Sequence, residues 1–332
     1  MNEDFQESEL EVDDFDPSIK IEDTKWIVEN FIPTSHLCFV LAQAGVGKSL
    51  LVESIATAIV CGVPYGGLKT VEGDVLIIDQ DTPTNTLNRR LSRLISGLGV
   101  PKKHHLWIKS MQGYTLSERT INTIIADYPT AVLTIIDSLH SVCGKLNPNL
   151  TSDMNILSRL KQERINSHNS ILINHHITQK LEDPSVNNLM TGDTASLAMG
   201  SSVIIQQADS YYIVGATAKD GITERIYVRS VSKRVSIPGK PIILRVIPTG
   251  KEKQGETVEY DGRFDAGVVG AEQDIMILFR EQNIDRTVKE VYEAMGHKHG
   301  ENAIRDALET LDQRGLLIMS RHKSNLFKFR LP

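Results

Sequence analysis

The chain has 332 residues, 40% of them apolar and 23% charged, the balance of a globular protein with room for one large domain and one small one. No apolar run reaches the length of a membrane span, and the N-terminus has neither a basic nor an apolar leader pattern, so a cytoplasmic protein is expected. A net charge of −6 conceals an asymmetry: residues 1–24 carry ten acidic residues against Lys20, a net −9, which leaves +3 elsewhere. Overall acidity therefore does not exclude a nucleic-acid partner.

The acidic segment 1–24 alternates its charges with Phe5, Leu10, Val12 and Phe15. Low hydrophobicity and high charge predict a disordered, solvated arm; a docking strip for a neighbouring subunit or a basic partner is the alternative. Trp26 to Pro33 then leads into a buried strand, Leu37 to Leu41. The next eight residues are Ala42-Gln43-Ala44-Gly45-Val46-Gly47-Lys48-Ser49, followed by a helical pattern from Leu50 to Ile59. Strand, small-residue loop, Gly-Lys-Ser and helix are the parts of a phosphate-binding loop. The backbone from Ala44 through Gly45, Val46, Gly47, Lys48 and Ser49 to Leu50 is expected to close around phosphate oxygens, and bulk is excluded near the two glycines. The helix points its positive end at the same anion. Lys48 adds a point charge, and the Ser49 hydroxyl suits magnesium. Ala42 stands where the first glycine of this motif usually falls. A chance glycine loop before a core helix is the bland alternative, and the flanking strand and helix argue against it.

A second buried strand, Val75 to Ile78, ends at Asp79-Gln80-Asp81, and Leu87, Leu91, Leu94, Ile95 and Leu98 follow at helical spacing. Leu106 to Ile108 reads as a short strand, Ile121, Ile124 and Ile125 as a helix, and Ala131 to Ile136 as a strand ending at Asp137. Met154, Leu157 and Leu160 mark another helix before the strand Ser170 to Ile173 and the pair His175-His176. Residues 203–214, 225–231 and 241–247 are rich in β-branched and aromatic types and read as further strands. Strands separated by helices imply an α/β fold with a largely parallel sheet covered on both faces. In that arrangement Asp137 supports the metal, unless it merely caps its strand. Asp81 is the first candidate to orient an attacking water and Asp79 the second, although both could instead cap the next helix. Aspartate reaches less far than glutamate, so slow turnover is expected if Asp81 is the base. One imidazole of His175 and His176 is placed to bond a terminal phosphate; no third ligand has the spacing for a metal site. His104, His105, His297 and His299 read as surface loop residues. Cys38, Cys61 and Cys143 read as core thiols.

Pro248 to about Gly270 is polar and without period, so 251–270 reads as a linker. Residues 271–332 carry three short helical patterns and then two apolar strands around Ser320 to Asn325, the layout of a winged helix-turn-helix. From Arg314 onward there are five basic residues (Arg314, Arg321, Lys323, Lys328, Arg330) and no acid, which with Asn302 and Arg305 suits phosphate and groove contact. A protein-interaction role is the alternative, since the third helix also carries Glu301, Asp306, Glu309 and Asp312.

Over roughly residues 25–250 these motifs, in this order, resemble the RecA-like ATPases, and among them the RepA-type hexameric plasmid helicases. The resemblance rests on Trp26 to Pro33, the phosphate loop, Asp79-Gln80-Asp81-Thr82-Pro83 with Arg89-Arg90-Leu91, Ile135-Ile136-Asp137-Ser138, His175-His176, and Gly200-Ser201-Ser202 with Ala208-Asp209. It implies a RecA-like core at 25–250, ATP and Mg2+ as ligands, and a homo-oligomeric ring, a hexamer first of all. Asp81 takes the place of the family's catalytic glutamate. Ser232-Lys233-Arg234 matches a basic finger supplied by the adjacent subunit, against a solvated hairpin turn. The segment 177–199, with Lys180, Asn187, Asn188, Thr191 and Gly192, lies where relatives carry a DNA-contacting loop. Single-stranded DNA would pass the central loops and duplex DNA would meet the winged helix. The expected activity is that of a DNA-dependent ATPase, a replicative helicase or helicase-like motor of a mobile element. An ATP-controlled DNA-binding regulator or loader is the alternative. A small-molecule kinase would leave Lys233, Arg234 and the C-terminal module unexplained.

Overall fold

The computed structural model describes residues 23–147, 150–167, 169–177, 186–191, 202–219, 222–232, 241–249, 255–263, 271–282, 284–313, 316–321 and 327–332. A small hairpin, β1 (Trp26–Val28) and β2 (Ile32–Pro33), precedes β3 (Leu37–Ala42) and α1 (Lys48–Cys61). Then come β4 (Asp74–Asp79), α2 (Thr84–Leu98), β5 (Leu106–Ser110), α3 (Glu118–Asp127) and β6 (Ala131–Asp137). Three helices, α4 (Leu139–Val142), α5 (Thr151–Met154) and α6 (Ile156–Ser167), lead to β7 (Ser170–His176). Two more, α7 (Val186–Thr191) and α8 (Ser202–Gln207), lead to a meander of β8 (Ser210–Lys219), β9 (Ile222–Ser232), β10 (Ile242–Thr249) and β11 (Gly255–Arg263).

Among the described residues these strands, β1 and β2 apart, form one nine-stranded sheet in the order β11-β10-β9-β8-β3-β7-β6-β4-β5. From β8 to β5 all neighbours are parallel, and β9, β10 and β11 extend the edge antiparallel. The expected α/β class with a mainly parallel sheet is thus the observed one. Strand periodicity divides the core into two layers. Cys38, Val40 and Ala42 of β3 join Val75 and Ile77 of β4 on the face covered by α1 and α2, where Leu51, Ile55, Leu87 and Leu91 pack. Leu37, Phe39 and Leu41 join Leu76 and Ile78 on the opposite face, under Ile121, Leu139, Leu157 and Ile204. A strand buried on both faces must be apolar throughout, which is why β3 reads as a continuous apolar run.

Two expectations are corrected. Residues 203–207, read as the start of a strand, belong to helix α8. Ile204 inserts into the second layer, and that burial overrides the weak β-propensity of its neighbours. The expected linker at 251–270 contains β11, paired with β10 from Ile242 with Arg263 to Thr249 with Gly255. Its polarity hid it, because a strand at the sheet edge needs few apolar residues: Val258 is buried, whereas Tyr260 is 44% exposed.

Helix α2 crosses β11 at backbone distance. A Cβ on Gly97 would lie 1.9 Å from the Glu256 carbonyl oxygen, and Gly255 faces the Gly97 backbone at 3.0 Å from a would-be Cβ. Glycine to alanine in a helix ordinarily stabilises by about 1 kcal/mol. Here the obstacle is backbone, so Gly97→Ala is expected to lower the thermal midpoint, at a cost of roughly 1–3 kcal/mol. A raised midpoint in a melting experiment would show that β11 does not lie against α2.

The C-terminal residues form α9 (Ala271–Glu281), α10 (Val288–Ala294), α11 (Glu301–Gln313) and the antiparallel pair β12 (Ile318–Arg321) and β13 (Phe327–Arg330). They close around their own core of Ile275, Phe279, Val291, Ile304, Leu308 and Phe329. A capping box starts α10, with Thr287 accepting from the Glu290 backbone while the Glu290 carboxylate accepts from Thr287. A buried ion cluster joins this module to the sheet: Arg225 of β9 lies 2.6 Å from Asp261 of β11 and 2.5 Å from Asp274 of α9. His299, expected as a surface loop residue, instead lies 2.5 Å from Asp274 in that cluster. The burial of Asp274 explains why the Arg225 guanidinium is drawn there.

Candidate functional site

The C-terminal ends of β3, β4, β6 and β7 converge on one cleft, the place where open parallel sheets bind ligands. Ala44, Gly45, Gly47, Lys48, Ser49, Leu50, Asp81, Thr82, Arg90, Asp137, Ser138 and His176 line it, and its volume of about 340 Å³ falls among small-molecule sites. Register sets the partners. Ala42 of β3 lies beside His176 of β7, and Asp79 of β4 beside Asp137 of β6.

The loop between β3 and α1 turns on glycine. Gly45 and Gly47 have φ of 79° and 84°, the left-handed region that side chains avoid. A Cβ at Gly45 would meet no atom within 4 Å, so the turn stands open toward the cleft. Val46, expected among the binding residues, turns its side chain to the apolar layer under α1, so only its backbone is available to a ligand. Lys48 is buried and folds back over the loop. Its Nζ donates to the Ala42 carbonyl at 3.1 Å and the Gln43 carbonyl at 2.8 Å, and lies 3.5 Å from His176 Nδ1. Burial lowers the Lys48 pKa, with Asp137 opposing. Burial also lowers that of His176, aided by the Lys48 charge, so the ring is neutral at pH 7 and accepts from the ammonium.

Ser49 Oγ donates to Asp137 Oδ2 at 2.6 Å. Burial raises the Asp137 pKa, and the bond from Ser49 holds it back. A hydroxyl and a carboxylate oxygen side by side at a helix N-terminus are the hard donors that Mg2+ takes with a phosphate, so the residues present fit that ion. Among the described residues no group of three or more His, Cys, Asp or Glu is arranged to hold a metal by itself.

The two candidate bases separate. Asp79 is buried, and its Oδ1 accepts from the backbone N–H groups of Asp81 at 2.9 Å and Thr82 at 2.8 Å, a turn-holding role. Asp81 lines the cleft, where its Oδ2 accepts from Ser138 Oγ at 3.0 Å. His175 and His176 separate as well. His176 lines the cleft, and alternation turns buried His175 to the other side of β7. Asp209, part of the motif at 208–209, sits at the far end of the sheet, where it accepts from the Leu37 backbone at 2.9 Å and pairs with Lys161 at 2.6 Å. Lys233, Arg234, the arm at 1–22, and 178–185 and 192–201 lie outside the described residues; β9 ends at Ser232, next to the expected finger.

Glu53 was missed by sequence reasoning. It sits on α1 at 2% exposure, and its Oε1 takes a 2.5 Å bond from Arg90 Nη2. Burial pushes its carboxyl up to about 8, with Arg90 pulling the other way. The available signal was a lone acid inside an otherwise apolar helix.

A mainly parallel sheet with an open glycine turn, a lysine, and a serine–aspartate pair at its C-terminal edge is the architecture of a P-loop ATPase. Residues 2–180, more than half of the chain, match the AAA domain model, and the chain belongs to that family. No curated protein matches it. Among solved structures, a KaiC-like protein from the hyperthermophilic archaeon Pyrococcus horikoshii OT3 is similar at 13% identity and a TM-score of 0.42, over 70% of this chain and 93% of that one. No helix among the described residues is long and apolar enough to cross a membrane.

Proposed function

We propose that the chain is an oligomeric, DNA-dependent ATPase, a replicative helicase or helicase-like motor of a mobile element. The observation that carries its nucleotide half is the Ser49–Asp137 pair at 2.6 Å beside the glycine turn and Lys48. Bound magnesium would supply charge neutralisation at the terminal phosphates, held by Ser49 with Asp137 behind it. Lys48 and the backbone of 44–50 bind and orient the phosphates. Asp81 orients the attacking water and takes its proton. His176, neutral and tied to Lys48, senses whether the terminal phosphate is there.

The DNA half rests on the C-terminal module. Three helices with a two-stranded ribbon suit a winged helix-turn-helix, and its last strand presents Lys328 and Arg330. The segment 177–199 follows His176 directly, which supports coupling between phosphate loss and a DNA-contacting loop. Lys233 or Arg234 of a neighbouring subunit would stabilise transition-state charge, which makes a ring, most simply a hexamer, the active form. In that case Arg234→Ala subunits are inactive alone and regain turnover when mixed with Lys48→Ala subunits. Activity of Arg234→Ala by itself in an ATPase assay would remove the shared site.

The deciding experiment compares ATP turnover without DNA, with single-stranded DNA and with duplex, alongside strand displacement. Stimulation by single strands together with displacement is expected. The short reach of Asp81 favours a second reading, an ATP-controlled DNA-binding regulator or loader. DNA affinity that changes with nucleotide, without displacement, would select it.

A further inference from the structure

Arg90 lines the same cleft, and the roles above do not use it. Its Nη2 meets three partners: Glu53 Oε1 at 2.5 Å, Thr82 Oγ1 at 3.3 Å and Asp79 Oδ2 at 3.7 Å. The first contact comes from α1, the helix that begins at Lys48. The second comes from the residue after Asp81. Arg90 therefore ties the phosphate-loop helix to the turn that carries Asp81.

Glu53 is an expensive way to make that tie. Leu51, Val52, Ile55 and Ala56 around it are all buried and apolar, and a carboxyl placed there is costly to ionise, which is why burial pushes it up to about 8. Its second oxygen, Oε2, and the Arg90 Nε are both buried without a hydrogen-bond partner. The pair is thus single-pronged, and an apolar residue at 53 would satisfy packing better. What an apolar residue would not do is hold a guanidinium, 36% exposed, at the wall of the cleft.

We propose that Glu53 is a positioning residue for nucleotide turnover: it fixes Arg90 against the cleft, where the guanidinium meets the bound nucleotide and steadies the Thr82–Asp81 turn. This rests on the nucleotide-site reading above. The arginine has donors to spare, because a guanidinium carries five and Glu53 engages one of them on a single edge.

The test is a double-variant comparison of ATP affinity, kcat and thermal midpoint in the full-length protein. Glu53→Leu is expected to weaken ATP binding or turnover about tenfold and to lower the midpoint, because Arg90 loses its main partner, whereas Glu53→Leu in the Arg90→Ala background restores the midpoint. Glu53→Gln, which keeps an acceptor but cannot ionise, falls between Glu53→Leu and the unaltered protein. Arg90→Ala loses as much as Glu53→Leu, and adding either Glu53 substitution to Arg90→Ala costs nothing more. Should Glu53→Leu not fold, Glu53→Gln in the two backgrounds makes the same comparison. Equal losses in both backgrounds, or a Glu53→Leu protein that binds and turns over ATP normally, would overturn the proposal. Absence of ATP binding by the unaltered protein would instead remove the site reading itself.

Discussion

Lys48→Ala is expected to abolish ATP turnover, with a loss of at least about 100-fold, the usual cost of removing one electrostatic partner of a developing charge. The ammonium lies over the glycine turn, where its bonds to the Ala42 and Gln43 carbonyls fix it. Alanine leaves both carbonyls facing an open cleft, where water replaces the donor, so the fold is retained. The packing of α1 depends instead on Leu51, Ile55 and Ile59. Two measurements check this. Turnover disappears, and ATP with magnesium raises the thermal midpoint of the unaltered protein but not of the variant. A Lys48→Ala protein with ordinary turnover would place the chemistry elsewhere.

The second large effect concerns Asp81. Asp81→Ala is expected to lower kcat by roughly 10²–10⁴-fold, the contribution of a positioned general base, with nucleotide affinity nearly unchanged. Asp81→Glu is expected to do the opposite and raise kcat above that of the unaltered protein. The extra methylene carries the carboxylate about 1 Å farther into the cleft, and misplacement on that scale is worth about 100-fold. Ser138 Oγ, now 3.0 Å from Asp81 Oδ2, would lose its acceptor in Asp81→Ala, so the melting curve serves as a control for local damage. If Asp81→Ala turns over ATP normally, the aspartate is only a companion of Ser138, and the water must be oriented by another group.

The corresponding substitution at Asp79 separates the two carboxylates. Asp79 holds the backbone of residues 81 and 82, so its loss disturbs the turn and the fold together. Loss of the Asp81 carboxylate is expected to lower turnover and to disturb locally only the bond from Ser138. Sequence position ranked Asp81 ahead of Asp79, and hydrogen bonding tells their roles apart.

Local chemistry made much of this protein legible before any coordinates. A continuous apolar run such as Leu37 to Leu41 has to be buried on both faces, and glycines before Gly-Lys-Ser have to turn where side chains cannot. The sheet, the loop, Lys48, Ser49 and Asp137 follow from those constraints, and so does the separate C-terminal core of Ile275, Phe279 and Phe329. Tertiary structure alone decided what depends on the far partner. β11 became a strand because β10 offers an edge and Gly97 lets α2 lie against it, although its own residues are polar. Residues 203–207 became helix because Ile204 found a hole in the core. His176 reached Lys48 and His175 did not, because one step along a strand reverses direction. Glu53 acquired a purpose only when folding brought Arg90, 37 residues later, to its side. Propensity and turn chemistry act between neighbours in the chain; a buried charge is judged by whatever the fold places beside it.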